Sequence, residues 1–390
     1  MTTHSDLIVV GLGITGAAAA WQAARQGACV IALEQGGPTH PNGSSHGATR
    51  IFRQAYWEGD KYLPLLHLAD QGWRDLEAAS GMRLRIPSGG VFIGPRSTGV
   101  VEGSRRTALR GGISHEHWPA DVARMRFPQF HVADDMEAVH EPGAYAVLAE
   151  ESRLQMLNEA VRMGARLQYG DAVTGFEAIN GGVKVHTRDG QVYAGGAALV
   201  CAGAWARTLV PELSEHLQPQ RVPIFWFAPR NRQAQPSFEA DAFPVFLYET
   251  PDGKLLYGIP TGCSAERGVK IGFHNHQHLV SDPGSTLPDI APFAHEISQY
   301  VASIFPQLDP QPMTGKWCFY TMTPDEAFVL GESRHCSKVF YASACSGHGF
   351  KFAPAIGHVM AELGRGVHPM VNVEAFSPHR LDARPSAVRQ

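Results

Sequence analysis

The sequence lacks the features of a membrane protein, a nucleic-acid-binding protein or a disulfide-rich secreted protein. Its six cysteines are far apart and have no metal-ligand spacing, which favours reduced thiols. The formal net charge is −4, so no basic excess favours nucleic acid. No apolar run approaches the length of a membrane span, and the first residues lack the basic and apolar regions of a signal peptide. We therefore expect a soluble cytoplasmic protein.

Length and composition favour two ordinary globular domains. A chain of 390 residues is long for a single hydrophobic core. Two of the cysteines, Cys29 and Cys201, lie in apolar strand-like segments, and we expect both to be small core residues.

A glycine-rich motif near the start predicts a dinucleotide site. An apolar strand from Leu7 to Val10 leads into Gly11, Gly13 and Gly16, and helix-forming residues follow from Ala17 to Arg25. The three glycines allow a tight turn, close approach of a pyrophosphate and close packing of helix on strand. The free N–H groups at the helix start would hold the phosphates.

The second apolar strand, from Cys29 to Leu33, ends at Glu34. An acid at this position is suited to bind a ribose hydroxyl. The fingerprint alone leaves the choice between a flavin and a nicotinamide nucleotide open.

The remaining pattern predicts an α/β and α+β fold in which the nucleotide domain is discontinuous. Strand-like runs between 221 and 274 indicate a large antiparallel sheet, and α/β character returns after 325. We expect a Rossmann-like nucleotide-binding domain over 1–84, 150–218 and 325–382, with an inserted second domain over 85–149 and 219–324. Residues 383–390 are expected to form a tail.

Four short segments carry residues suited to chemistry. In the first, His46, Arg50 and Arg53 have spacing that would place them on one helix face. Such cations suit an anionic cofactor or a carboxylate substrate, although a solvated basic turn is equally consistent with the spacing.

The second segment is a strand on which Lys270 and His274 share one face. His274, His276 and His278 could align as metal ligands if the strand continued, but the intervening polar residues favour a loop, and we expect no metal.

The third segment places Cys318 between aromatic residues, where core packing is the simplest interpretation. The fourth places Lys351 at a helix start, where a cation is unfavourable and an anionic partner would compensate.

In this order, the segments resemble the monomeric sarcosine oxidase and N-methyltryptophan oxidase family of FAD-dependent amine oxidases, from Asp6 to about Arg380. The resemblance rests mainly on residues 43–53, 318–326 and 346–352. It implies FAD between a Rossmann-like domain and an antiparallel substrate sheet. It also implies a monomer that acts on a small amino acid and O2.

The resemblance also implies roles for individual residues. Cys318 matches a cysteine bound covalently to the flavin, and Lys270 matches a lysine associated with oxygen activation. Arg53 and Lys351 match a pair that binds the substrate carboxylate. The family further implies catalytic residues near the flavin and the amine (His46, Arg50, Tyr257 and His274), substrate contacts (Tyr320, Gly347 and Leu247) and cofactor contacts (Gly11, Gly13, Ile14, Thr15, Gly16, Glu34, Ser44, Ser45, Thr49, Arg50, Val173, Ala202, Gly203, Trp205, Gly347, Gly349 and Lys351).

The implied reaction is oxidation of a secondary α-amino acid. Hydride transfer to the flavin would give an imine, and dioxygen would be reduced to hydrogen peroxide. Two alternatives stay open: a flavin dehydrogenase or biosynthetic oxidase of a cyclic imino acid such as pipecolate or proline, and a non-catalytic flavin-binding redox sensor. Ala48 departs from the family, which usually has an acid there, and Leu247 replaces an expected methionine.

Overall fold

The computed structural model describes residues 4–39, 43–97, 99–263, 267–274 and 282–382. Within them the helices are α1 (Ile14–Arg25), α2 (Leu63–Ser80), α3 (Gly99–Gly111), α4 (Ala120–Arg126), α5 (Ala149–Arg162), α6 (Ala206–Leu209), α7 (Ala291–Ile304) and α8 (Ala353–Gly364). The strands are β1 (His4–Val10), β2 (Val30–Glu34), β3 (Thr49–Phe52), β4 (Arg85–Pro87), β5 (Gly90–Pro95), β6 (Glu116–Pro119), β7 (Met136–Glu141), β8 (Tyr145–Leu148), β9 (Arg166–Tyr169), β10 (Val173–Ile179), β11 (Gly182–Thr187), β12 (Val192–Val200), β13 (Gln218–Pro229), β14 (Val245–Glu249), β15 (Leu255–Ile259), β16 (Val269–His274), β17 (Leu308–Met322), β18 (Val329–Glu332) and β19 (Val339–Ser343).

The first sheet has a parallel centre built around β1. Its main order is β10-β11-β12-β1-β2-β9, and β19 pairs in parallel with β12 while β18 pairs with β19. Side chains alternate along β1: Leu7 and Val9 pack in the core that contains α1, α2, α5 and α8, and Ile8 and Val10 pack on the opposite face. This period of two is that of a strand buried on both faces.

Close contact between α1 and the end of β1 depends on glycine. A Cβ atom on Gly16 would lie 1.7 Å from the carbonyl oxygen of Gly11. No side chain fits at that distance, so Gly16 allows the helix to begin directly above the turn. The predicted helix–strand packing role of Gly16 is therefore visible in the structure.

The second sheet has the order β17-β13-β16-β15-β14-β5-β7-β6. Its neighbours are antiparallel except β14 and β5, which run parallel. Along β16, Val269, Ile271 and Phe273 pack into an aromatic core against α7. Lys270 and His274 consequently face the other side, as predicted from the alternation.

A third sheet has three strands in the order β3-β8-β4. Along the chain, β3 and β4 lie between β2 and β5, and β8 lies between β7 and β9. The α/β and α+β fold class is confirmed by the two large sheets and by the comparisons given below. The domain boundaries at 84, 149, 218 and 324 stay a prediction, and 383–390 lies outside the described residues.

Two local predictions are wrong. His46, Arg50 and Arg53 do not share a helix face, because the segment turns at Gly47 and Ala48 and continues as the strand β3. Cys29 is exposed in the connection between α1 and β2, which begins at Val30, whereas Cys201 is buried as expected. None of the helices in the described ranges has the length and apolar character needed to cross a membrane.

Candidate active site

A cavity of about 640 Å³ runs from the glycine turn of the first sheet to the inner face of the second. Most of the predicted site residues line it: Gly11, Gly13, Ile14, Thr15, Glu34, Ser44, Ser45, His46, Arg50, Arg53, Val173, Ala202, Gly203, Trp205, Leu247, Tyr257, His274, Cys318, Tyr320, Gly347, Gly349 and Lys351. Gly16, Thr49 and Lys270 are not among the lining residues. The structure therefore brings nearly the whole predicted set into one space.

The nucleotide end of the cavity is organised by Glu34. Its carboxylate accepts hydrogen bonds from the backbone N–H of Leu12 at 2.8 Å and of Gly36 at 2.9 Å. The backbone N–H of Ile14 donates to the Ser45 hydroxyl at 2.9 Å, which ties the start of α1 to the segment before β3. The acid and the helix start consequently lie at one end of the cavity, as a ribose and a pyrophosphate require.

Arg153 was not predicted from the sequence, although it also lines this end. It projects from α5 and donates to the carbonyls of Leu12 at 3.1 Å and Pro38 at 2.6 Å. Burial lowers the pKa of this guanidinium from its usual value. A cation contributed from a distant helix has no local sequence signal.

The middle of the cavity contains Cys318 and Arg50. The Arg50 guanidinium donates to the carbonyls of Ser44, His46 and Thr49, and its Nη2 lies 3.4 Å from Cys318 Sγ. Three carbonyl contacts hold the guanidinium in one orientation. A fixed cation beside a cysteine is the kind of neighbour found at reactive thiols.

Lys270 lies behind this segment and holds its backbone. Its buried Nζ donates to the carbonyls of Gly47 at 2.8 Å and Thr49 at 2.7 Å. Glu150, at the start of α5, accepts from the backbone N–H of Gly47 at 3.0 Å and also lines the cavity. The family usually has an acid in this turn, where this chain has Ala48. Here the carboxylate of Glu150, from α5, contacts the turn instead.

At the far end, Arg53 forms a buried ion pair with Glu58 through one guanidinium nitrogen. Its Nη2 lies 2.7 and 2.8 Å from the two carboxylate oxygens. Burial alone would raise the pKa of Glu58, but the charge of Arg53 and those of nearby cationic groups outweigh burial and lower it to about 2. Glu58 is therefore an anion that faces Arg53. The sequence analysis did not identify it, although a buried arginine generally has an acidic partner.

Lys351 faces the same group of charges. Its Nζ donates to the carbonyl of His348 at 2.9 Å and lies 3.4 Å from the Tyr56 hydroxyl. Burial and the charge of Arg53 lower the pKa of Lys351 to about 7, against the opposing effect of Glu58. Arg53 and Lys351 are therefore close enough to influence each other, as expected of two groups that share an anion.

Tyr56 and His348 form a buried support under these cations, and neither was predicted. The Tyr56 hydroxyl and His348 Nδ1 are 2.6 Å apart, and the Arg53 guanidinium lies 4.4 Å from the centre of the Tyr56 ring. Burial lowers the pKa of His348 to about 3, so its imidazole is neutral near pH 7.

The second sheet contributes a largely neutral wall. Burial lowers the pKa of His274 to about 4, and burial raises the pKa values of Tyr257 and Tyr320 above their usual value. Gly347 has φ +81°, and a Cβ atom there would lie 2.6 Å from the Tyr320 ring. Glycine therefore allows the loop before α8 to approach the wall closely.

No group of three or more metal-ligating side chains occurs among the described residues. His276 and His278, considered with His274 as metal ligands, lie outside the described residues.

A glycine-turn nucleotide site continuous with a pocket of buried cations defines a dinucleotide-dependent enzyme. The chain matches the family model described as FAD dependent oxidoreductase (DAO) over residues 6–363. It is 34% identical over 393 aligned residues to a monomeric sarcosine oxidase from Streptomyces avermitilis. This alignment covers 99% of this chain and 100% of that protein. The chain is 32% identical to an N-methyl-L-tryptophan oxidase from Yersinia pestis, over 96% of this chain and 99% of the relative. The chain therefore belongs to the FAD dependent oxidoreductase family, as the resemblance in its motifs indicated.

Solved structures show the same fold at lower identity. NikD, an amino acid oxidase of nikkomycin biosynthesis, superposes with a TM-score of 0.82 at 23% identity, over 97% of this chain and 98% of that chain. An L-proline dehydrogenase from P. horikoshii gives a TM-score of 0.81 at 20% identity, over 98% and 99%. These likenesses confirm the fold. The family match and the two curated relatives confirm an FAD-dependent oxidoreductase.

Proposed function

We propose that this protein is an oxidase of secondary α-amino acids, with FAD attached covalently to Cys318. The observation that carries the proposal is the convergence of Arg53 and Lys351 in the cavity that also contains Cys318. Two cations at one end select a carboxylate, and the neutral wall beside them suits an uncharged amine. We further propose that the enzyme acts as a cytoplasmic monomer.

The residues of the cavity fit FAD. Glu34 and the start of α1 suit the adenosine and the pyrophosphate, and Arg50 with Cys318 lies where the cavity meets the second sheet. When bound, FAD would supply the two-electron oxidation that converts the amine to an imine, and O2 would take up the two electrons and two protons as H2O2. The protein's contribution is then to bind, orient and exclude water.

The carboxylate would replace or join Glu58 at Arg53. Both oxygens of Glu58 contact the same guanidinium nitrogen, Arg53 Nη2, which shows that this cation already binds a carboxylate here. Lys351 Nζ adds a second charged donor, positioned by the His348 carbonyl. With the carboxylate held at two points, the amine of the same molecule is restricted to the neighbouring wall.

Tyr257, Tyr320 and His274 form the proposed amine-binding wall. Their pKa shifts, caused first by burial, keep all three uncharged near pH 7. Such a wall suits a neutral secondary amine, because its three side chains are uncharged and the neighbouring anion, Glu58, is already paired with Arg53. We propose that these residues orient the nitrogen.

Lys270 is proposed to provide a fixed positive charge for the reaction with O2. Its buried Nζ is held by two carbonyls of the turn that leads to Arg50. A fixed cation would stabilise negative charge that develops as dioxygen accepts electrons. Lys270→Met should slow reoxidation by O2 far more than flavin reduction, and equal slowing of both half-reactions would contradict this role.

The function is tested by anaerobic flavin reduction over a panel of N-methyl amino acids and cyclic imino acids. We expect reduction by at least one member, with a large increase in the apparent Kd for that amino acid in Arg53→Met and Lys351→Met. Hydrogen peroxide formed in air distinguishes an oxidase from a dehydrogenase. A flavin that none of these amino acids reduces would contradict the proposal and leave the redox-sensor alternative.

Covalent attachment has its own test. After acid precipitation, the flavin colour should stay with the wild-type protein and be released from Cys318→Ala. A colourless wild-type pellet would remove the covalent claim without affecting the proposed reaction.

A further inference from the structure

Lys351 is held at its backbone as well as at its Nζ atom. Trp73 Nε1, from α2, donates to the Lys351 carbonyl at 2.8 Å, and the indole stacks on Phe350 with ring centroids 6.1 Å apart. The Nζ atom donates to the His348 carbonyl at 2.9 Å and lies 3.4 Å from the Tyr56 hydroxyl oxygen. Contacts within the protein therefore set the direction in which the ammonium group points.

These contacts leave one donor of the ammonium for a ligand. A protonated lysine has three N–H groups. In the part of the chain that the structure describes, the acceptors at Nζ are the His348 carbonyl and the Tyr56 hydroxyl, and Lys351 lines the cavity. The count requires that the Tyr56 oxygen accepts, because a hydroxyl that turned its proton toward Nζ would repel the ammonium.

His348 decides which way the Tyr56 proton points. The Tyr56 hydroxyl and His348 Nδ1 are 2.6 Å apart, and His348 Nε2 lies 3.1 Å from the backbone carbonyl oxygen of Glu326. A carbonyl only accepts, so Nε2 carries the proton of the neutral imidazole and Nδ1 is the acceptor. Tyr56 consequently donates to Nδ1 and presents its oxygen lone pairs to Lys351.

The other groups around Nζ do not replace this acceptor. Glu58 is paired with Arg53, and burial keeps His274 neutral near pH 7 by lowering its pKa. Burial and the charge of Glu58 raise the pKa of Tyr56, so the phenol keeps its proton. The titratable and charged groups that face Lys351 are Arg53, Tyr56 and Glu58 from the segment after β3, His274 from β16, and His348 from the loop before α8.

We propose that Tyr56 and His348 are positioning residues for substrate binding: His348 accepts the hydrogen bond of the Tyr56 hydroxyl, the Tyr56 oxygen accepts from Lys351, and the remaining N–H of Lys351 is directed to the substrate carboxylate. This inference rests on the proposed function, because it takes the ligand of Lys351 to be a carboxylate. It adds a neutral pair that keeps Lys351 protonated in a buried site.

The first test follows phenylacetate binding to the oxidised holoenzyme by flavin absorbance between pH 5.5 and 9. Tyr56→Phe keeps the aromatic ring, whose centre lies 4.4 Å from the Arg53 guanidinium and 5.0 Å from Lys351 Nζ, and removes only the oxygen. The ammonium loses an acceptor, so the inflection in Kd should move down by about one pH unit. The Kd should then rise about fivefold at pH 7 and stay within about twofold of wild type at pH 5.5.

Tyr62→Phe is the matched control, because it makes the same chemical change in the same aromatic cluster. The Tyr62 ring packs on the rings of Tyr56 and His348, with centroids 5.2 and 5.3 Å away, and its hydroxyl is not among the described contacts of Lys351 Nζ. The control should keep the wild-type inflection. A loss of packing alone would raise the Kd equally at every pH. An unmoved inflection in Tyr56→Phe, the same shift in Tyr62→Phe, or no binding of phenylacetate by wild type would overturn the inference.

The second test reads the His348 tautomer directly by nitrogen-15 NMR of holoenzyme labelled at histidine, with His348→Gln to assign the signal. We expect the proton on Nε2 at pH 7, and a proton on Nδ1 would overturn the inference. Neither test needs turnover, so both remain decisive if no amino acid reduces the flavin, which is the result that would contradict the proposed function instead.

Discussion

Carboxylate binding should weaken as the pH rises through about 7, because Lys351 loses its proton there. Burial is the main cause of this lowered pKa, the Arg53 charge adds to it, and Glu58 opposes both. A bound carboxylate favours the protonated amine, so the sign is fixed: ligand binds the acid form better and raises the pKa of Lys351.

The expected rise in the Kd for a carboxylate follows from the pKa of Lys351. With a pKa of about 7, roughly one molecule in ten retains the ammonium at pH 8, so the apparent Kd should rise about twofold between pH 6 and 7 and about fivefold between pH 7 and 8. The rise in Kd then levels off, because the ligand still binds to protein with neutral Lys351 through its other contacts. A charged hydrogen bond contributes about 1.5–3 kcal/mol, so the plateau should lie about tenfold to a hundredfold above the value at pH 6.

The assay is titration of the oxidised holoenzyme with phenylacetate between pH 6 and 9, followed by flavin absorbance. This ligand has no amine, so its own charge stays constant over the range. Lys351→Arg is the control, because a guanidinium stays charged throughout, and its Kd should change little. A wild-type Kd that is constant from pH 6 to 9, or the same inflection in Lys351→Arg, would refute the reasoning.

Three further variants test the account. Glu58→Gln should tighten phenylacetate binding by roughly tenfold, since the ligand no longer competes for Arg53. Unchanged phenylacetate binding would show that Glu58 does not compete. The same change should lower the free energy of unfolding by about 3–5 kcal/mol, measured by denaturant titration, because the buried charge of Arg53 loses its partner. Glu141→Gln should cost about 1–3 kcal/mol of stability, because both carboxylate oxygens accept backbone N–H groups of Gln54 and Ala55, and an amide NH2 cannot; a wild-type denaturation midpoint would contradict that. In Lys270→Met, stopped-flow traces should show slow reoxidation with near-normal reduction.

Local patterns predicted the parts of the fold whose signal lies within a few residues. The glycine turn, α1 and the acid at the end of β2 depend on close contacts between sequence neighbours, such as Gly11 and Gly16. The two faces of β16 followed from alternation alone. The motif resemblance then placed distant segments around one cavity, which composition and spacing could not have done.

The errors and omissions have a physical origin in long-range contacts. The segment from His46 to Arg53 has a spacing that fits a helix, but Lys270 and Glu150 hold its backbone in a turn followed by a strand. Glu58 was missed because its role depends on burial beside Arg53. Cys29 lies in the connection before β2, one residue outside the strand that the apolar run indicates, and its side chain is exposed there.

The central claim is that buried cations select an acid-bearing amine for oxidation in this cavity. The most direct measurement is anaerobic mixing of the holoenzyme with N-methylglycine, N-methylasparagine or N-methylleucine and, in parallel, with matched N-methyl amines that lack the carboxylate. We predict that at least one of the acids bleaches the oxidised flavin far faster than its matched amine, and that Arg53→Met abolishes the difference. Equal bleaching by acids and amines, or no bleaching by any of the acids, would contradict the account.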